Sequence, residues 1–167
     1  MNECNNKSPY PEIMVEEKNN DYAYLLLEDY AGVTSELSAI CLYVYQHIIN
    51  EDTNELFAKM LKGIFISEMR HLEMLGNTIR LLGVKPIYKT ITNNELKPWN
   101  SNYVNYEINI EEQLLINIEN EEKAITQYKK HIELISDKYI KELLKRIILD
   151  EEKHIECFNN LLKETKK

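Results

Sequence analysis

Apolar residues recur at three- and four-residue intervals through four stretches of this chain, and acidic or imidazole side chains interrupt each stretch near its middle. The first, from about Asp21 to Asn50, puts Leu26, Asp29, Val33, Glu36, Ile40, Tyr43 and His47 on one helical face, with Asn20 or Asp21 as cap. The second opens at Asp52, whose spacing to Glu55 is a carboxylate variant of the capping box, and closes near Leu82 before Gly83. Its face carries Phe57, Leu61, Ile64, Glu68, His71, Leu75 and Thr78. The third, from about Tyr106 to Ile135, aligns Leu114, Ile118, Glu121, Ile125, Tyr128 and Ile132. After a break at Ser136-Asp137, the fourth aligns Ile140, Leu144, Ile147, Glu151, His154, Phe158 and Leu161 and runs to about Glu164. Stripes of this kind face a core.

Proline occurs only at positions 9, 11, 86 and 98, so residues 12–85 and 99–167 are free to run as helix. The helices are then roughly 27–30 residues, or about 40–45 Å, long. Two short turns and one connection over residues 84–105 predict an all-α, antiparallel four-helix bundle with a long crossover between its second and third helices. A connection of about 22 extended residues is long enough to run the length of such a bundle. Residues 1–20 are expected to form an irregular N-terminal arm, and residues 21–167 a single bundle domain.

Two units of Glu-x-x-His, Glu68…His71 and Glu151…His154, each project a carboxylate and an imidazole from one helix face. Glu36 and Glu121 lie at matching distances from the turns of their hairpins. With a constant rise per residue, equal distance from the turn means equal height. Six ionisable groups are therefore predicted to meet at mid-bundle.

A chain of 167 residues with 44% hydrophobic content suits one domain with a real core. A net charge of −8 argues against nucleic acid and anionic membrane as partners, since neither would gain counterion release. No 18-residue apolar run is present, so no membrane span is expected. The first twenty residues are polar and show no export signal. Cys4, Cys41 and Cys157 are odd in number and form no Cys-x-x-Cys unit, which predicts free thiols and a reducing, cytoplasmic setting.

Charge then decides the chemistry. Four carboxylates cannot share a dry core unless protonated or neutralised, and no Lys or Arg lies on the four seams near this level. Two divalent cations would balance four carboxylates, with two neutral imidazoles completing the set. The competing account is an ion-pair network that fixes helix register.

One Glu from each of two helices and Glu-x-x-His from each of the other two is the ligand pattern of ferritin-like di-iron and di-manganese proteins. With the segments 27–32 (LEDYAG), 99–106 (WNSNYVNY) and 147–154 (IILDEEKH), it makes the chain resemble the branch holding rubrerythrins, bacterioferritins and manganese catalases. Small clostridial ferritin-like proteins are the most similar of these. The resemblance implies two Fe or two Mn ions per chain. Glu68 would bridge them together with Glu151, Glu36 and Glu121 would bind terminally, and His71 and His154 would take one ion each. In manganese catalases the residue at Glu151 acts as a proton carrier instead, so either role is open.

The implied function is an oxidoreductase acting on hydrogen peroxide or dioxygen, as a homo-oligomer. Ala124 stands where rubrerythrins carry a further Glu, and their Cys-x-x-Cys iron centre is missing. Peroxidase action would therefore need an external donor such as a rubredoxin, whereas disproportionation of peroxide needs none. The alternatives are bacterioferritin-like ferroxidase activity with iron storage, or a structural protein, for instance of a spore layer, with a vestigial site. Met69 follows Glu68 as the haem-ligating Met of bacterioferritins follows its Glu, but haem is not expected. Tyr43 and Tyr128 are placed to hydrogen-bond ligand carboxylates, His47 and His131 are placed at the surface or bundle end, and Trp99, Tyr103 and Tyr106 are expected to pin the crossover to the bundle.

Overall fold

The computed structural model of the chain describes residues 4–92 and 95–165. Residues 1–3 of the expected arm, 93–94 of the expected connection and 166–167 of the expected bundle domain lie outside the described residues. Helix α1 (Asn20–Ala31) starts on Asn19, whose side chain accepts from Tyr22 N–H, one residue earlier than the predicted cap. Helix α2 (Glu36–Asn50) follows, so the first predicted helix is in fact two. The break lies at Gly32, where a Cβ would sit 2.4 Å from the Glu28 carbonyl oxygen. Ser35 caps α2, and the Ser35 and Ser38 hydroxyls both donate to the Gly32 carbonyl. Val33, expected on the seam, is 63% exposed as a result.

Helix α3 (Glu55–Leu81) is capped by Asn54 rather than Asp52. Helix α4 (Ile110–Leu134) is capped by Asn109, later than the predicted start at Tyr106. Helix α5 (Lys138–Thr165) begins at Asp137, whose carboxylate accepts from the Tyr139 and Ile140 N–H groups. Short turns join α2 to α3 and α4 to α5, which makes each pair antiparallel. The long crossover between α3 and α4 is not wholly irregular. It holds an antiparallel hairpin of β1 (Lys89–Thr92) and β2 (Glu95–Pro98), followed by a 3-10 turn over Ser101–Tyr103. Tyr88 stacks on Tyr30, and Trp99 donates its indole N–H to Ser38 Oγ at 3.0 Å. The chain is thus an all-α, ferritin-like four-helix bundle, with α1 and α2 making up its first limb.

Two apolar clusters fill the interior. One packs Leu26, Leu27, Leu75, Ile79, Leu144 and Ile147, and the other Leu42, Phe57, Leu61, Leu114 and Phe158. The candidate polar groups lie in the layer between them. The arm is not loose either, since Tyr10, Ile13 and Val15 pack against the first cluster.

Cysteine usage departs from expectation. Cys4 and Cys157 form a disulfide across a sequence separation of 153, and Cys41 is a free cysteine. The thiol count therefore gives no argument for a reducing compartment. Among the described residues, no helix is long and apolar enough to cross a membrane.

Candidate metal centre

Glu36, Glu68, His71, Glu121, Glu151 and His154 meet between the two clusters, and none is more than 4% exposed. Five of them come from the interior of α3, α4 and α5, and Glu36 from the first turn of α2, just after its Ser35 cap. Both rings turn Nδ1 inward. His71 Nδ1 lies 2.9 Å from Glu68 Oε2, 3.3 Å from Glu151 Oε1 and 3.5 Å from Glu36 Oε2. His154 Nδ1 lies 2.9 Å from Glu151 Oε2, 3.2 Å from Glu68 Oε1 and 3.4 Å from Glu121 Oε1. Glu68 and Glu151 thus each reach both rings, one oxygen apiece, while Glu36 and Glu121 each reach one.

Two overlapping sets result, Glu36/Glu68/His71/Glu151 and Glu68/Glu121/Glu151/His154, with the donor atoms of each set within 4.8 Å of one another. The donor set fits a pair of cations. Glu68 Oε1, Glu151 Oε2 and His154 Nδ1 are buried and form no hydrogen bond, although they stand at contact distance. Lone pairs that converge on one point without a proton in line are what a cation satisfies.

The electrostatics without a cation follow from burial and crowding. Burial, then the Glu68 charge, pushes the Glu36 carboxyl well above the usual range. Burial with the Glu151 and Glu68 charges pushes Glu121 up to about 8. Burial opposes ionisation of Glu68 too, but His154 and His71 outweigh it and hold that carboxyl below its ordinary value. Both imidazoles are raised against their burial, His71 chiefly by Glu151 and Glu36 and His154 chiefly by Glu68. The metal-free centre is therefore a partly protonated ion-pair network, and a cation entering it must displace protons.

Around this core the tyrosines cross over. Tyr43 donates to Glu121 Oε1 at 2.6 Å, and Tyr128 donates to Glu36 Oε1. A cavity of about 100 Å³ reaches the four carboxylates from the side of α2 and α4, and Thr34, Tyr103, Lys123 and Gln127 line its outer part.

Several groups were missed in the sequence. Asp150, fully buried, stands 3.0 Å from His71 Nε2 and 2.8 Å from an Arg146 nitrogen. Arg146, one residue off its seam, thus places a buried cation beside the centre. From the arm, Tyr10 donates to Asp150 Oδ2 at 2.5 Å, and Asn5 Oδ1 lies 3.3 Å from His154 Nε2. Nothing in the sequence pointed to the arm. Asp150 was hidden in an acidic run, although its place one residue before a seam position was a usable signal.

His131 is a further correction. It is fully buried, with Nδ1 2.7 Å from Asp29 Oδ2 and Nε2 3.3 Å from Glu28 Oε2. Burial works against its charge, but Asp29 and Glu28 push it up to about 9. His47 stays outside the cluster and donates through Nδ1 to the Ala58 carbonyl at 2.9 Å. Met69 is 45% exposed on α3.

A ferritin-like domain model matches residues 31–167, which covers four of the five helices whole. The chain belongs to the ferritin-like family. Within that family it is 28% identical to a probable manganese catalase of Clostridium acetobutylicum, over 93% of this chain and 76% of that protein. Its structure matches the crystal structure of a manganese catalase from Anabaena with a TM-score of 0.86 and 28% identity, covering 97% of this chain and 80% of that one. The ferritin-like bacterioferritin of Mycobacterium tuberculosis matches with a TM-score of 0.74 and 25% identity, covering 90% of this chain and 89% of that one.

Proposed function

We propose that this ferritin-like chain is a dinuclear metal oxidoreductase that disproportionates hydrogen peroxide, in the manner of manganese catalases. The observation that carries the reading is that Glu68 and Glu151 each reach both inward-facing imidazoles. Glu36 with His71 would complete one position and Glu121 with His154 the other. The hard oxygen donors with two imidazoles suit Mn or Fe. When bound, such a pair supplies two-electron cycling toward a substrate that binds both ions.

The chain's own residues do the rest. The apolar clusters on either side of the polar layer limit water to the cavity, which is large enough for a few small molecules. Tyr43 and Tyr128 keep their protons, since burial and then the neighbouring carboxylates raise both hydroxyls well above their usual range. They thereby hold Glu121 and Glu36 in orientation. The position of Glu151 between the two rings supports a ligand role over that of a separate proton carrier.

Disproportionation needs no external electrons, so no rubredoxin-type donor enters this reading. The test is oxygen release from peroxide without reductant, measured together with the metal content of the same preparation. Release in step with bound manganese supports the proposal, and fully loaded protein that releases none refutes it. The bacterioferritin neighbours carry a second reading, ferroxidase action with iron storage. Either reading takes the chain as a homo-oligomer. A large hollow shell in gel filtration favours storage, and a small oligomer counts against it.

A further inference from the structure

The six candidate ligands repeat between the two halves of the chain, but the groups behind the imidazoles do not. His71 Nε2 faces the Asp150 carboxylate at 3.0 Å. Asp150 is itself fixed by Arg146 at 2.8 Å, by the Tyr10 hydroxyl, and by the Asn6 N–H at 2.8 Å. His154 Nε2 instead faces a neutral amide oxygen, Asn5 Oδ1, at 3.3 Å.

A ring that offers Nδ1 to a cation keeps its proton on Nε2 and donates it outward. A carboxylate acceptor makes the opposite nitrogen a better donor toward the cation than an amide oxygen does, and its charge adds attraction of its own. Asn5 is, moreover, not part of the bundle. It is held in place by its neighbours. Cys4 is bonded to Cys157, three residues after His154 on α5, and Asn6 accepts from Arg146 Nη2 at 3.1 Å.

We infer that the N-terminal arm completes the centre and that its two cation positions are unequal. The Glu36/His71 position, backed by Asp150, fills first and more tightly. The Glu121/His154 position, backed by Asn5 on the Cys4–Cys157 tether, fills second and more weakly. Asp150 and Asn5 are positioning residues that act through His71 and His154. The inference rests on the dinuclear reading above.

The experiment is a Mn(II) titration of the full chain without peroxide, with free Mn(II) counted by electron paramagnetic resonance. The wild-type chain is expected to take up two ions in two resolved steps. Asn5→Ala should weaken the second step by about 10–100-fold, the usual range for groups that orient metal ligands, and leave the first unchanged, and Cys4→Ser should weaken the second step over the same range. Asp150→Asn should weaken the first step over the same range and narrow the gap. Its melting curve is recorded alongside, because Arg146 loses its partner. Should it unfold, Asn5→Ala, which alters the arm rather than the bundle, carries the test. Two equal steps in the wild type, or an Asn5→Ala chain with an unmoved second step, overturn the inference and leave the dinuclear reading intact. A wild-type chain that binds fewer than two ions overturns that reading, and this inference with it.

Discussion

Tyr43 on α2 donates its hydroxyl to Glu121 on α4, at 2.6 Å, and not to Glu36 on its own helix; Tyr128 on α4 returns the contact to Glu36. Glu121 and Glu36 are thus each steered from the opposite helix. Tyr43→Phe should weaken metal binding at the Glu121/His154 position by about 10-fold or more. It should cost about 1 kcal/mol of stability, the usual worth of one hydrogen bond. Equilibrium dialysis and urea denaturation measure the two effects.

Removing a carboxylate that reaches both rings should differ from removing one that reaches a single ring. Glu68→Ala is expected to abolish binding at both positions, because its oxygens lie 2.9 Å from His71 Nδ1 and 3.2 Å from His154 Nδ1. Glu121→Ala should leave one ion bound. Metal content by mass spectrometry after reconstitution separates the cases, and one ion retained by Glu68→Ala would make that residue a terminal group.

The metal-free chain should lose stability as pH rises. Glu121 has an ordinary value of 4.5 and holds its proton to about 8 when folded. Between those values the folded state binds more protons than the unfolded one, so its contribution is full below 4.5 and falls away toward 8. His71 and His154, both raised from 6.5, add to the fall in the upper part of the window. Glu68 is lowered, so its contribution is lost only as pH falls below its ordinary 4.5. A metal that bound the ionised cluster would restore stability by mass action. Melting curves of metal-free protein from about pH 6 to 9 should decline while those of loaded protein do not. Coincident curves would favour a register network instead.

Much of this centre was legible in the sequence because a spacing of three on a helix fixes a shared face whatever the rest of the fold does. Glu68 with His71 and Glu151 with His154 needed nothing more, and matching distances from the turns supplied the heights of Glu36 and Glu121. What could not be read was what depends on two elements meeting. Asp29 and His131 lie 102 residues apart, so neither showed that the other would bury it. The same holds for Cys4 with Cys157, and for Asn5, whose segment has no periodicity to locate it. The bend at Gly32 was hidden because Asp29 and Glu36 still face inward on either side of it.

The Asp29–His131 pair gives a separate test away from the centre. His131→Ala leaves the Asp29 carboxylate buried with Gln127 as its remaining partner at 2.7 Å. Breaking a buried pair in this way costs about 3–5 kcal/mol. His131 is raised from 6.5 to about 9, so the pair's contribution is full below 6.5 and is lost as pH rises through 9. Guanidinium midpoints of wild type and His131→Ala should therefore differ widely at pH 6 and converge in strongly alkaline solution.

The central expectation is two ions held between His71 and His154 by the carboxylates of Glu68 and Glu151. Anomalous X-ray scattering at the manganese edge, from crystals of manganese-loaded protein, tests this directly. The predicted result is two peaks in the polar layer between the apolar clusters, each touched by one oxygen of Glu68 and one of Glu151. A single peak, or none with the His71–Glu68 contact still closed at about 2.9 Å, would contradict it.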